Sequence, residues 1–124
     1  MKTSGVYHIQ IGVSDLDRSL AFYTGLMGTE ELFRADETVF LRTLGAHELL
    51  ALQPVEGPVD PKAGGMDHFG FYVTPEDLDA AVAEVRAAGV EVLEKGSFAP
   101  GVPFAYIKDP DGYTAAARSK PVPG

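Results

Sequence analysis

The sequence contains no cysteine. That excludes disulfides, thiolate metal ligands and thiol nucleophiles together. Basic residues are scarce: ten Lys and Arg stand against 18 Asp and Glu, for a net charge of -8. Nucleic-acid binding relies on clustered cations at phosphates, so no nucleic-acid partner is expected. Acidity of this size serves solubility instead. No apolar run approaches the ~20 residues of a membrane helix, so no membrane association is expected. The first residues lack the charged-then-apolar pattern of a secretory signal, and a cytoplasmic location is expected. No glycine-rich loop opens a helix, because Gly64-Gly65 precedes a strand pattern. No motif marks a Ser-His-Asp nucleophile.

What is present is a chain of 124 residues with 45% hydrophobic content. That suffices for one compact domain with a real core. The chain repeats itself. Tyr7-His8-Ile9-Gln10-Ile11-Gly12-Val13 and Asp67-His68-Phe69-Gly70-Phe71-Tyr72-Val73 are alternating runs, each carrying a histidine near its start. Each leads into an Asp-Leu-Asp helix start, at Asp15-Leu16-Asp17 and Asp77-Leu78-Asp79. The histidines are 60 residues apart, the Asp-Leu-Asp motifs 62, and the helix-ending Gly28 and Gly89 61. Such even offsets indicate an internal duplication.

Alternation predicts a strand over 6–13, with Ile9, Ile11 and Val13 on the buried face and His8, Gln10 and Gly12 opposite. Asp15 or Ser14 caps a helix over 16–27, its inner side carrying Leu16, Leu20, Phe22, Tyr23, Leu26 and Met27. Strands follow at 30–35, 38–43 and 48–53. Prolines 54, 58 and 61 and glycines 57, 64 and 65 make 54–65 a linker. The second half predicts a strand at 67–73. A helix follows, with Thr74 as cap, Pro75 in the first turn, Asp77 in the capping-box position and an apolar stripe of Leu78, Val82 and Val85. Further strands fall at 90–95, 103–108 and 113–118, with a tight turn at Asp109-Pro110-Asp111-Gly112. Pro121–Gly124 is expected to fray. The class is thus α+β. One domain, 1–124, holds two βαβββ modules, about 6–54 and 66–120, that form a concave half-barrel.

The segments His8–Val13 with Asp15–Tyr23, Asp67–Val73 and Asp109–Tyr113 resemble the vicinal oxygen chelate superfamily, from Tyr7 to about Arg118. That group spans glyoxalase I, bleomycin-resistance proteins, fosfomycin-resistance enzymes and extradiol dioxygenases. The resemblance implies a homodimer and a cavity for a small organic ligand. It also implies four equivalent metal-ligand positions, two on opening and two on closing strands. His8 and His68 match the opening positions and would hold a divalent ion (Fe, Zn, Ni or Mn). The closing positions, which carry Glu or Gln in metal-binding members, read Ala51 and Ala116. A catalytic zinc takes three protein ligands and an iron facial triad needs its carboxylate, so this ligand set is incomplete.

The ligand-binding candidates are His8, Gln10, Ala51, His68, Tyr72, Ala116 and Arg118. Gln10 and Tyr72 share the histidines' face and suit a ligand's polar groups. Arg42 and Arg118 are candidates for a ligand carboxylate, with a solvated strand end as the simpler role. Ala115-Ala116-Ala117 reads as a small-residue floor. Of the middle strands, Phe40 or Leu41, and Phe104 or Tyr106, face the cavity. Phe22, Tyr23 and Phe33 read as core or subunit interface. Two functions stay open. One is a binding protein of the bleomycin-resistance type that sequesters a drug or natural product. The other is a metal-dependent dioxygenase- or glyoxalase-like enzyme using the two histidines.

Overall fold

The structure, a computed structural model, describes residues 1–97 and 102–119. The expected fraying of Pro121–Gly124 lies outside the described residues. The chain divides into two compact units, Met1–Val59 and Asp60–Gly124.

The first unit runs β1 (His8–Val13), α1 (Leu16–Leu20) with a π-helical continuation (Ala21–Leu26), β2 (Glu30–Ala35), β3 (Thr38–Arg42) and β4 (Leu49–Pro54). Its sheet has the order β1-β4-β3-β2, with β1 parallel to β4 and the other pairs antiparallel. The second unit opens with a short 3-10 turn (Ala63–Gly65). It continues with β5 (Phe69–Tyr72), α2 (Pro75–Ala87), β6 (Val92–Ser97), β7 (Pro103–Lys108) and β8 (Thr114–Arg118). Its order, β5-β8-β7-β6, repeats the first. Both units are therefore βαβββ, and the class is α+β. Each sheet is open and mixed rather than closed into a barrel. Among the described residues no helix is long and apolar enough to cross a membrane.

Alternation decides which side of each sheet is core. In the first unit Ile11, Val13, Val39, Leu41, Leu50 and Leu52 are buried. Pairings Ile11 with Leu52, Val39 with Leu52 and Leu41 with Leu50 place them on one face. Ile9, expected with them, stays exposed near the start of β1. In the second unit Leu78 and Val82 of α2 pack with Ala105 and Ala117, flanked by Val73 and Val92. Spacings of four and then three put Leu78, Val82 and Val85 on one stripe, and all three are buried. Burying each such side chain stabilises the fold by about 1.5–3 kcal/mol.

The local signals act mostly as expected. Asp15, not Ser14, caps α1 by accepting the Arg18 N–H at 3.1 Å. The expected 16–27 helix is not uniform. Its second half widens, with the Met27 N–H reaching back to Phe22 O at 3.0 Å. Thr24 supplies the cause: its hydroxyl donates to Leu20 O at 2.6 Å, and such back-bonding distorts helices. Phe22 and Tyr23, consecutive in sequence, both enter the core there and meet edge to face at 4.9 Å. Thr74 precedes α2 with Pro75 in the first turn, but its side chain makes no cap to the backbone. Its hydroxyl donates instead to the Asp77 carboxylate at 2.9 Å. The capping box is thus replaced by a bond between its two side chains.

The turn between β7 and β8 is built on Asp109, which is 5% exposed. Its carboxylate accepts the N–H groups of Asp111 and Tyr113, each at 2.9 Å, and its carbonyl accepts Gly112 N–H at 3.0 Å. Gly112 sits at φ +93, where an L side chain is strained.

Candidate functional site

Strand register turns the histidine pattern into two matching faces. In the second unit Gly70 pairs with Ala116, and Ala116 with Tyr106. This row crosses three strands on the side away from α2. In the first unit the same row is Gln10, Ala51 and Phe40. His8, two residues before Gln10 on β1, shares the first face; His68 precedes β5, and its ring meets that of Tyr106 on the second face at 5.0 Å. One step along, Tyr72 pairs with Arg118 and Gly12 with Gln53. Gly70 is therefore the counterpart of Gln10, and Arg118 of Gln53.

Several expectations are corrected by this register. Ala115-Ala116-Ala117 is not a continuous floor: Ala117 belongs to the core with α2, Ala115 shares its parity, and only Ala116 takes the open side. Phe104 and Tyr106 are not alternatives. They lie two residues apart on one strand and share the open face, ring centroids 5.1 Å apart. In the first unit Phe40 takes that face and Leu41 the core. Phe33, expected in the core or at a subunit interface, is 46% exposed and stacks on Phe40 at 4.5 Å, which takes it out of the core. Arg42 ends β3 as an exposed side chain, as its simpler role had it, with Nε 2.8 Å from Glu30 Oε1.

The two faces differ in how their polar groups are occupied. In the first unit Gln10 donates to Gln53 at 2.8 Å, filling the space above Ala51 with an amide pair. His8 is exposed and meets the Tyr7 ring edge-on at 5.6 Å. In the second unit Gly70 has no side chain, and a depression of about 400 Å³ opens there. It is lined by His68 through Tyr72 with Arg118 and Ser119. Ser119 donates its hydroxyl to Val73 O at 2.7 Å. The His68 ring lies 5.0 Å from that of Tyr106.

His68 has a partner that sequence reasoning missed. Its Nδ1 lies 2.7 Å from Asp67 Oδ2. An ionised carboxylate only accepts, so Nδ1 carries the proton and Nε2 of the neutral ring is an acceptor. The hydrogen bond to His68 and then the nearby Lys62 charge, 3.6 Å away, hold the Asp67 carboxyl below its ordinary range. Alternation would put residues 67 and 68 on opposite sides. Both precede the first residue of β5, so alternation does not bind them; the Asp-His dipeptide itself was the available signal.

The donor set can be tested against a metal. Ala51 and Ala116 are each 0% exposed and offer only methyl groups. Gln53 is engaged by Gln10. Among the described residues no group of three or more His, Asp or Glu side chains is placed to hold a metal ion. Within each unit, one imidazole with a methyl at the closing position does not fit a resident metal centre.

Comparison with known proteins agrees with the fold. The family model described as Glyoxalase/Bleomycin resistance protein/Dioxygenase superfamily matches residues 5–116. The chain belongs to this superfamily. It is 27% identical over 129 residues to "Glutathione transferase FosA" of Serratia marcescens, covering 94% of this chain and 90% of that protein. It is 30% identical over 124 residues to "Probable lactoylglutathione lyase" of Vibrio cholerae, covering 91% and 88%. The crystal structure of a glyoxalase/dioxygenase from Nostoc punctiforme superposes with a TM-score of 0.78 at 24% identity, covering 96% of this chain and 92% of that one.

Proposed function

We propose that this chain is a small-molecule-binding member of the superfamily, holding an organic ligand on its open sheet faces without metal chemistry and so sequestering a drug or natural product. The observation that carries this reading is the pair of buried alanines, Ala51 and Ala116, in the central rows of the two faces. Methyl groups there offer no donor atom where a carboxylate would be needed to bind an ion. The surrounding aromatics, Phe33 on Phe40 and Tyr106 between His68 and Phe104, give flat surfaces for a ligand. Superfamily membership alone does not decide between binding and catalysis, since one scaffold hosts many functions.

A second reading is favoured by the retained imidazoles and by the carboxylate on His68, an arrangement that orients histidines in metal and acid-base sites. In it the chain is an enzyme, as the relatives named as a glutathione transferase and a probable lactoylglutathione lyase are by name, and it uses a metal held by the two histidines. Elemental analysis of protein purified without chelator or nickel resin separates the two. No stoichiometric metal is expected. One tightly held iron, zinc, nickel or manganese per chain would overturn the binding-only reading.

A further inference from the structure

We propose that the open face of the first unit recognises an uncharged lactam, a flat ring carrying adjacent N–H and C=O groups. This rests on the small-molecule reading above and names its site and ligand class.

Register lays that face out in rows. Gln10, Ala51, Phe40 and Phe33 follow one another across the four strands. Gln53 stands two residues beyond Ala51 on β4 and so shares its side. Gln10 reaches it diagonally and donates at 2.8 Å. Both side chains are exposed, so this bond adds little to the fold. Its effect is to hold two flexible amides in one arrangement before any ligand arrives. An amide carries one acceptor oxygen and one NH2 group. The mutual bond leaves the Gln10 oxygen and the Gln53 NH2 group without a partner among the described residues. Exchanging the roles of the two amides leaves the same complement, one oxygen and one NH2 group.

A ligand with a donor and an acceptor side by side meets that complement. Its N–H donates to the Gln10 oxygen and its C=O accepts from the Gln53 NH2 group, closing a ring of three amides. An open-chain secondary amide is trans, with N–H and C=O pointing apart. A small-ring lactam holds them cis, on one edge. The rest of the row supplies the ring surface. Phe33, 46% exposed, stacks on Phe40 at 4.5 Å with the planes 11° apart. Phe40 lies two strands from Gln10, about 10 Å, a span that a fused two-ring lactam covers with its polar edge on the amides. Ala51, between them, has only a methyl group and competes for neither amide. The charges of the neighbouring row, Arg42 and Glu30, meet each other at 2.8 Å, so an uncharged ligand is preferred to an ion. The second unit lacks this amide pair, because Gly70 and Arg118 hold the equivalent positions.

The test is calorimetric titration of the full chain with 2-quinolone, N-methyl-2-quinolone and 4-quinolone. The second compound lacks the donor, and the third carries the same two groups on opposite sides of its ring. 2-Quinolone is expected to bind about tenfold or more tighter than either, the scale of two neutral hydrogen bonds. The double variant Gln10→Met with Gln53→Met removes both amides and should bring the three compounds to equal affinity. Gln53→Met alone should lose part of the preference, and serves the test if the double variant fails to melt as a folded protein. Phe33→Ala should weaken all three compounds. Equal affinity of the three for the wild type would overturn lactam recognition and leave the binding reading standing. A preference undiminished in both methionine variants would overturn the amide pair as the site. Binding that ignores Phe33→Ala would overturn the placement of the ring. Failure of all three compounds to bind would overturn both site and ligand class. A stoichiometric metal in the protein would instead overturn the underlying function.

Discussion

Replacing Asp109 by Ala should cost more stability than any surface substitution in this chain. The carboxylate is 5% exposed and closes the β7–β8 turn through the N–H groups of Asp111 and Tyr113. Its removal leaves two donors without that acceptor. An unsatisfied buried donor costs about 1–3 kcal/mol. The Tyr113 bond is buried and should pay near the top of that range; the Asp111 bond is partly buried and water can reach it. The expected loss is about 2–4 kcal/mol for Asp109→Ala. Asp109→Asn retains one side-chain acceptor in the same shape and should lose about half as much. The assay is urea unfolding of the three proteins. With a slope of about 1–3 kcal/mol per molar, the alanine midpoint should fall by roughly 1–2 M. A shift below about 0.3 M would refute the reasoning, because it would mean the two N–H groups find other acceptors.

Three further outcomes follow from single observations. Ser19 is fully buried and its hydroxyl has no partner among the described residues, so Ser19→Ala should raise stability by about 1 kcal/mol; a lower melting temperature would show that Oγ is bonded. Asp79 is held below its ordinary carboxyl value by its hydrogen bond to Lys95 and then by that residue's charge. A depressed folded value stabilises above the unfolded value of 3.8 and is lost as pH falls through the folded one. In Lys95→Met the Asp79 midpoint, followed by NMR, should rise toward 3.8, and an unchanged midpoint would refute the pairing. Asp67→Asn should shift neutral His68 away from the Nδ1-protonated tautomer in nitrogen-edited NMR spectra. The same tautomer in both proteins would show that Asp67 does not orient the ring.

Much of the architecture was legible because its causes are local. The alternation around His8 and His68, the Asp15 cap, and the turn chemistry of Asp109–Gly112 all act within a few residues. The cap falls on Asp15, one of the two residues expected for it, and the turn falls at its expected place, while β5 is shorter than the 67–73 run and Ile9 is exposed. The misreadings share a different cause. Thr24 competes for the Leu20 carbonyl and widens a helix that periodicity reads as regular. Thr74 and Asp77 satisfy each other instead of the backbone. Phe33 stacks on Phe40 across a strand pair, a contact that neither segment announces. The candidate histidines were visible as a repeat, whereas the carboxylate on His68 depends on a side-chain conformation just outside a strand.

By itself the sequence determined the duplicated βαβββ pattern and the histidine near the start of each opening run. These are matters of residue identity and of periods of 2.0 and 3.6 residues, which need no partner to be read. Only the tertiary structure decided which alanine of 115–117 takes the open face and which aromatics join it. It also showed that Gly70 and Arg118 stand where Gln10 and Gln53 stand in the other unit. Those facts belong to register, and register is set by hydrogen bonds between strands far apart in the chain.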